Sequence, residues 1–184
     1  MYPMSDIHMH IIPGVDDGAY DMEMAKEILL RAYMQGIRSI IATPHSSAFF
    51  HNREKVYAGF QELKAWTACL PAFEGLYLGS EIRFEVDNLS KTMDALASGL
   101  LPSMNGTEYV LTEFSSRVAP KDARKIIRRI LKEGWKPIIA HAERYPALFP
   151  DGTIHALVEE GALIQVNAVS LWGGLGRGPG DTSP

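Results

Sequence analysis

The 184-residue sequence predicts an α/β fold built on a parallel sheet. Short apolar runs alternate with amphipathic helical patterns along the chain, as in successive βα units. No short-period repeat and no internal linker divides it, so a single domain is expected. Residues with metal-ligand chemistry recur at the ends of the predicted strands, the edge where parallel β/α folds collect their sites.

The elements follow in order. Ser5–Ile11 reads as the first strand, with Asp6, His8 and His10 on one face and Ile7, Met9 and Ile11 on the other. Ile12-Pro13-Gly14 ends it and opens a loop containing Asp16, Asp17 and Gly18. Asp21 caps a helix whose stripe is Ala25, Ile28, Leu29, Ala32 and Tyr33, stopped by Gly36. Arg38–Thr43 is a second strand running into Pro44-His45. A helix from about Glu54 to Leu70 carries Val56, Phe60, Leu63 and Thr67 on one side, and Pro71 ends it. Leu76–Ile82 is the third strand.

Asp87–Leu96 reads as a short helix and Leu101–Gly106 as loop, before a fourth strand at Tyr109–Phe114. Pro120 opens a helix with the stripe Ala123, Ile126, Ile127, Ile130 and Leu131, ended by Gly134. Pro137–Ala140 is a fifth strand and delivers His141. A helix around Ile154, Leu157 and Val158 ends near Gly161, and Ala162–Asn167 is the sixth strand.

Composition narrows the function classes. A hydrophobic content of 46% and a charged content of 22% are ordinary globular values. The net charge of −4 gives no basic face for nucleic acid. The single cysteine, Cys69, rules out an internal disulfide framework and suits a reducing compartment. With no signal-peptide pattern and no apolar run of membrane-spanning length, a cytoplasmic protein without membrane insertion is expected. No G-x-G-x-x-G or G-x-x-x-x-G-K-[ST] follows any strand, which weakens a Rossmann or NTPase reading.

His8 and His10 can hold one metal ion from a single rigid strand. Asp17, His45, Glu81, Glu113 and His141 fall at or beyond the carboxyl ends of predicted strands, making seven candidate ligands. Imidazole plus carboxylate, with no thiolate, suits Mn²⁺, Zn²⁺ or Fe²⁺. Several carboxylates permit bridging between ions, and such clusters hydrolyse phosphate esters by clamping the phosphoryl group and activating water. Arg144, just past His141, can grip phosphate oxygens in bidentate fashion, with Glu143 as its support. His51 and His155 read as loop or surface, and Cys69 as packing; no C-x5-R loop surrounds it.

These residues carry a resemblance. Asp6-Ile7-His8-Met9-His10, the Asp16-Asp17-Gly18 loop, Thr43-Pro44-His45, Gly79-Ser80-Glu81-Ile82, Leu111–Ser115 and Ile139–Tyr145 resemble the polymerase and histidinol phosphatase (PHP) superfamily. Within it they look like the manganese-dependent bacterial protein-tyrosine phosphatases of capsular and exopolysaccharide loci; Gln165–Ala168 with Ser170-Leu171 fits that branch. The resemblance implies a distorted PHP-type (β/α)7 barrel and a site for up to three ions, Mn²⁺ first, with iron or zinc as alternatives. His8, His10 and Glu81 would hold one ion, and Glu81, Glu113 and His141 a second. Asp17 and His45 would serve the third. Arg144 would hold phosphate while metal-activated hydroxide attacks phosphorus. The implied partner is a tyrosine-phosphorylated protein, the autokinase of polysaccharide synthesis, and homo-oligomers are common in this branch.

The sequence also departs from the family pattern. Members continue past the position of Arg177 into a strand ending in Asp-x-His; here Gly173–Pro184 is Gly- and Pro-rich, and Asp181 has no His two places on. The expectation is a truncated PHP domain over residues 1–172, lacking the last strand and helices, with a non-native-looking tail at 173–184. Its site would be incomplete and its activity weak or absent unless another subunit covers the gap. Rival readings are a phosphoesterase acting on a small phosphomonoester such as histidinol phosphate, and a metal- or partner-binding remnant.

Overall fold

The computed structural model describes residues 3–171. The segment 173–184, read as a tail, lies outside the described residues. Among the described residues seven strands run β1 (Met4–Met9), β2 (Ile37–Ala42), β3 (Gly75–Leu78), β4 (Glu81–Arg83), β5 (Tyr109–Glu113), β6 (Lys136–Ile139) and β7 (Leu163–Ile164). The helices between them are α1 (Met22–Met34), α2 (Ser46–His51), α3 (Arg53–Thr67), α4 (Leu89–Ala97), α5 (Pro120–Lys132) and α6 (Thr153–Glu159), with α7 (Ala168–Leu171) last.

Every strand pair is parallel, in the orders β1-β2-β3 and β4-β5-β6-β7. Among the described residues, one isolated parallel bridge, His45 to Glu81, joins the two sheets. No backbone pairing between β1 and β7 is seen among the described residues, so the expected barrel is represented by two parallel sheets without closure.

Helix starts follow local chemistry. Asp21 accepts a hydrogen bond from the Met24 N–H at 2.8 Å and caps α1, as its spacing predicts. Pro120 occupies the first turn of α5, where its missing N–H costs nothing. Ala123, Ile126, Ile127 and Ile130 are fully buried, and each isoleucine contributes about 1.5–3 kcal/mol of burial. The stripe of α3 (Val56, Phe60, Leu63, Thr67) is likewise buried. Helices α1, α3 and α5 pack on β2, β3 and β6. The sequence did not predict α2, a short helix that follows His45 directly.

Three expectations need correcting. The third strand is two: the chain breaks at Gly79-Ser80 and passes from one sheet to the other. There the Gly79 N–H donates to Ala42 O, the Ser80 hydroxyl to Pro102 O, and the Glu81 N–H to Pro44 O. A Cβ on Gly79 would lie 3.1 Å from Met104 Sδ and 3.2 Å from Ile41 Cγ2, closer than most side chains tolerate. The sixth predicted strand shrinks to the two residues of β7, with Leu163 and Ile164 exposed on its edge. Val158 faces solvent as well, leaving Leu157 as the buried anchor of α6.

Candidate metal centre

Parallel strands send their carboxyl ends to one face, and the residues that follow them converge there. All eight residues singled out from the sequence line one cavity of about 360 Å³: His8, His10, Asp17, His45, Glu81, Glu113, His141 and Arg144. Gly18 and Asn167 complete its wall. His8 lies within β1 and His10 just past it; His45 links β2 to α2; Glu81 opens β4; Glu113 closes β5; His141 follows β6.

Glu81 is the hub. It is 1% exposed, and its Oε1 lies 2.8 Å from His141 Nε2 and 3.3 Å from His8 Nε2. Its Oε2 lies 3.0 Å from His45 Nδ1 and 3.1 Å from His10 Nε2. Burial alone would raise the pKa of this carboxyl, but the four imidazoles outweigh it and hold the pKa far below the carboxylate range. Glu113 behaves oppositely, since burial and the nearby negative charge of Glu81 push it up.

Donor atoms fall into three groups, each compact enough to hold one ion: His8, His10 and Glu81; His10, Asp17 and His45; and His45, Glu81 and Glu113. The first matches the set implied by the resemblance. In the others His10 joins Asp17 and His45, and His45 rather than His141 stands with Glu81 and Glu113. Asp17 is 81% exposed and reaches the rest through Oδ1, 3.3 Å from His45 Nε2.

Sequence reasoning missed Asp16. Its Oδ2 accepts from His10 Nδ1 at 2.8 Å and from the His45 backbone N–H at 3.0 Å, while Oδ1 accepts from the Gly18 N–H at 3.1 Å. Burial would raise the Asp16 pKa, and the bond and charge of His10 bring it below normal. The available signal was Asp-x-Gly, since an aspartate readily bonds the backbone two residues on. Gly18 is required by space: a Cβ there would lie 2.1 Å from His10 O.

The donors fit a cation. With Nδ1 donating to Asp16, a neutral His10 turns its Nε2 lone pair toward Glu81 Oε2 and toward His8 Nε2, 3.2 Å away. Only a proton or a cation reconciles lone pairs and a carboxylate at that distance. The proton's share of this demand appears in the pKa of His10: burial lowers it, but hydrogen bonds to Asp16 and Glu81 raise it to about 10. His45 is raised too, chiefly by its bond to Glu81.

Around His141 the backbone is strained: φ is +33°, in the left-handed region, where non-glycine residues cluster at functional sites. The buried Tyr145 packs beside its ring, centroids 5.6 Å apart, and the Tyr145 hydroxyl oxygen accepts from the Phe114 N–H at 3.0 Å. Arg144 is exposed at the cavity, with no ion-pair partner among the described residues. Glu143 does not support it. Instead, Glu143 Oε1 accepts from the Ser170 hydroxyl at 3.0 Å and from the Asn167 N–H at 3.4 Å, because the turn Ala142–Arg144 directs Glu143 toward the chain after β7. His155 is exposed, as expected, and His51, expected in a loop or at a helix entry, is the exposed last residue of α2. Cys69 is exposed too, not packed, because it lies past the last turn of α3.

Known proteins resemble this chain in sequence and in fold. The family model described as "Capsular polysaccharide synthesis, CpsB/CapC" matches residues 4–181. Tyrosine-protein phosphatase YwqE of Bacillus subtilis is 35% identical over 179 residues, 95% of this chain and 68% of that protein. Tyrosine-protein phosphatase CpsB of Streptococcus pneumoniae is 32% identical over 168 residues, 90% of this chain and 68% of that protein. Among solved structures, a chain from work on YwqE and CpsB as unique metal-dependent tyrosine phosphatases superposes with a TM-score of 0.81 at 33% identity. The superposition covers 95% of this chain and 70% of that one.

Proposed function

The chain belongs to the CpsB/CapC family of capsular polysaccharide synthesis, and on that premise we propose that it is a metal-dependent protein-tyrosine phosphatase acting on the tyrosine autokinase of polysaccharide synthesis. One observation carries the reading: four imidazoles, the buried carboxylate of Glu81 and the part-buried one of Glu113 meet Arg144 in a single cavity. The donor set is nitrogen and oxygen only, which suits Mn²⁺ and accommodates iron or zinc.

His8, His10, Asp17, His45, Glu81, Glu113 and His141 would hold up to three ions. When bound, such ions supply Lewis-acid charge against the phosphoryl oxygens and lower the pKa of coordinated water. The protein's own groups do the rest. Glu81 fixes four rings at once and sets their mutual spacing. Asp16 keeps the His10 proton on Nδ1 and leaves Nε2 bare for an ion. Arg144, at the cavity rim, binds the non-bridging phosphoryl oxygens with its planar fork and orients phosphorus. The phosphatase domain of this reading spans residues 1–172 and works in the cytoplasm. No helix among the described residues is long and apolar enough to cross a membrane.

The test compares a phosphotyrosine peptide, a phosphoserine peptide and histidinol phosphate, each with added Mn²⁺. Turnover confined to the phosphotyrosine peptide and abolished by chelation is the expected result. Preference for histidinol phosphate would replace the reading with that of a small-molecule phosphatase.

A further inference from the structure

Strands β1 and β7 stand at the two ends of the strand order, and no backbone ladder joins them among the described residues. One side chain crosses that seam. Gln165 lies just past β7, its N–H donating to Ile139 O at 2.9 Å and its C=O accepting from the Ala142 N–H at 3.0 Å. Its backbone is thus tied to the chain at and beyond β6, while its carboxamide reaches His8 in β1, 157 positions away in sequence.

The hydrogen-bond directions can be read off in turn. The His141 backbone N–H can only donate, and it meets Gln165 Oε1 at 2.7 Å, so that atom is the amide oxygen. The amide nitrogen then faces Asn167 Oδ1, to which it donates at 2.9 Å. Because the same oxygen lies 3.1 Å from His8 Nδ1 and can only accept, His8 carries its hydrogen on Nδ1. That leaves the Nε2 lone pair facing the cavity, beside Glu81 Oε1.

We infer that Gln165 is a positioning residue: one oxygen sets the tautomer of His8 and holds the strained backbone of His141, aiming both rings at Glu81 across the β1–β7 seam. The inference rests on the metal reading above and deepens it. On the inner side, Glu81 Oε1 meets the Nε2 atoms of His8 and His141; on the outer side, Gln165 Oε1 meets His8 Nδ1 and the His141 N–H. His10 has a corresponding outer partner in Asp16, so each ring of the opening strand has its own. Metal-bound imidazoles depend on such partners for orientation and basicity. A left-handed non-glycine residue persists only where its neighbours over-determine it, and the Gln165 bond to the His141 N–H is one such restraint.

The experiment uses the full chain with Gln165→Leu, similar in size but without the acceptor, and Gln165→Glu, which keeps it. Imidazole ¹⁵N spectra of the metal-free protein at alkaline pH report the His8 tautomer, and Mn²⁺ titration followed by the free-ion resonance reports affinity site by site. In the parent protein His8 should be the Nδ1–H form. Q165L should shift His8 toward Nε2–H and weaken one class of Mn²⁺ site by about 10–100-fold, leaving the others within about threefold. Q165E should retain the tautomer and bind within about tenfold of the parent. Unchanged tautomer and affinity in Q165L would overturn the inference, as would a uniform loss at every site in step with a lost cooperative melt. Should Q165L fail to fold, Gln165→Asn decides, because it keeps a carboxamide but draws the acceptor one methylene back from His8 Nδ1; a shifted His8 tautomer supports the inference and an unshifted one overturns it. A parent chain that takes up no Mn²⁺ yet holds His8 as Nδ1–H would refute the metal reading and leave the role of Gln165 standing.

Discussion

Replacing Glu81 with glutamine isolates the hub of the site while keeping its shape. The carboxylate is 1% exposed and touches four imidazole nitrogens between 2.8 and 3.3 Å. Two of the three donor groups contain it, so bound ions should fall from three to at most one, held by His10, Asp17 and His45. In the metal-free protein at neutral pH, His10 is charged, and removing Glu81 leaves that part-buried charge with Asp16 at 2.8 Å and the exposed Asp17 at 3.8 Å. Breaking a buried ion pair from one side costs about 3–5 kcal/mol; because Asp16 remains, the lower end applies. A domain of this size should then melt about 6–12 °C lower, at roughly 2–4 °C per kcal/mol. Metal content after gel filtration and a melting curve in chelator are the assays, supported by turnover of p-nitrophenyl phosphate, which should drop by at least about 10²–10³-fold. A variant that keeps the full ion complement and melts with the parent would refute the hub.

Other consequences can be checked independently. The folded pKa of His10 is raised from 6.5 to about 10, so its contribution to metal-free stability is complete below pH 6.5 and is lost as pH rises through about 10. Melts in chelator should therefore fall across that window, while Mn²⁺ affinity, which requires the proton to leave, should strengthen with pH. Flat profiles would show that His10 is not held by Asp16 and Glu81. Gly18→Ala places a methyl 2.1 Å from His10 O and should cost about 1–3 kcal/mol and displace Asp17, seen as a lower melt together with weaker metal binding. Arg144→Lys replaces a planar fork with a point charge and should weaken inhibition by inorganic phosphate at least about tenfold without altering ion content; unchanged inhibition would remove Arg144 from phosphate binding.

How much of the site was legible varies by residue. His8 and His10 could be read because strand alternation puts both on one face whatever the rest of the chain does. His45, Glu113 and His141 could be read because each follows an apolar run that has no other use than as a strand. Glu81 could be read toward the cavity only for an incomplete reason, since Leu76–Ile82 reads as one strand and the break at Gly79-Ser80 lies where Met104 and Ile41 press from elsewhere. Glu143 was misjudged because adjacency in sequence suggested Arg144 as its partner, while the turn sends it to Asn167 and Ser170.

By itself the sequence determined the strand–helix alternation, the parallel class and the edge at which the metal-ligand residues gather, because these follow from local periodicity and the direction of the chain. Only the tertiary structure decided which candidate donors stand together, that Asp16 and Gln165 meet the outer nitrogens of His10 and His8, and that a carboxamide just past β7 bonds to β1. Apart from Asp16 with His10, six positions away, those contacts join groups far apart in sequence at distances near 3 Å. Local periodicity carries no information at that separation; the packing of the strands supplies it.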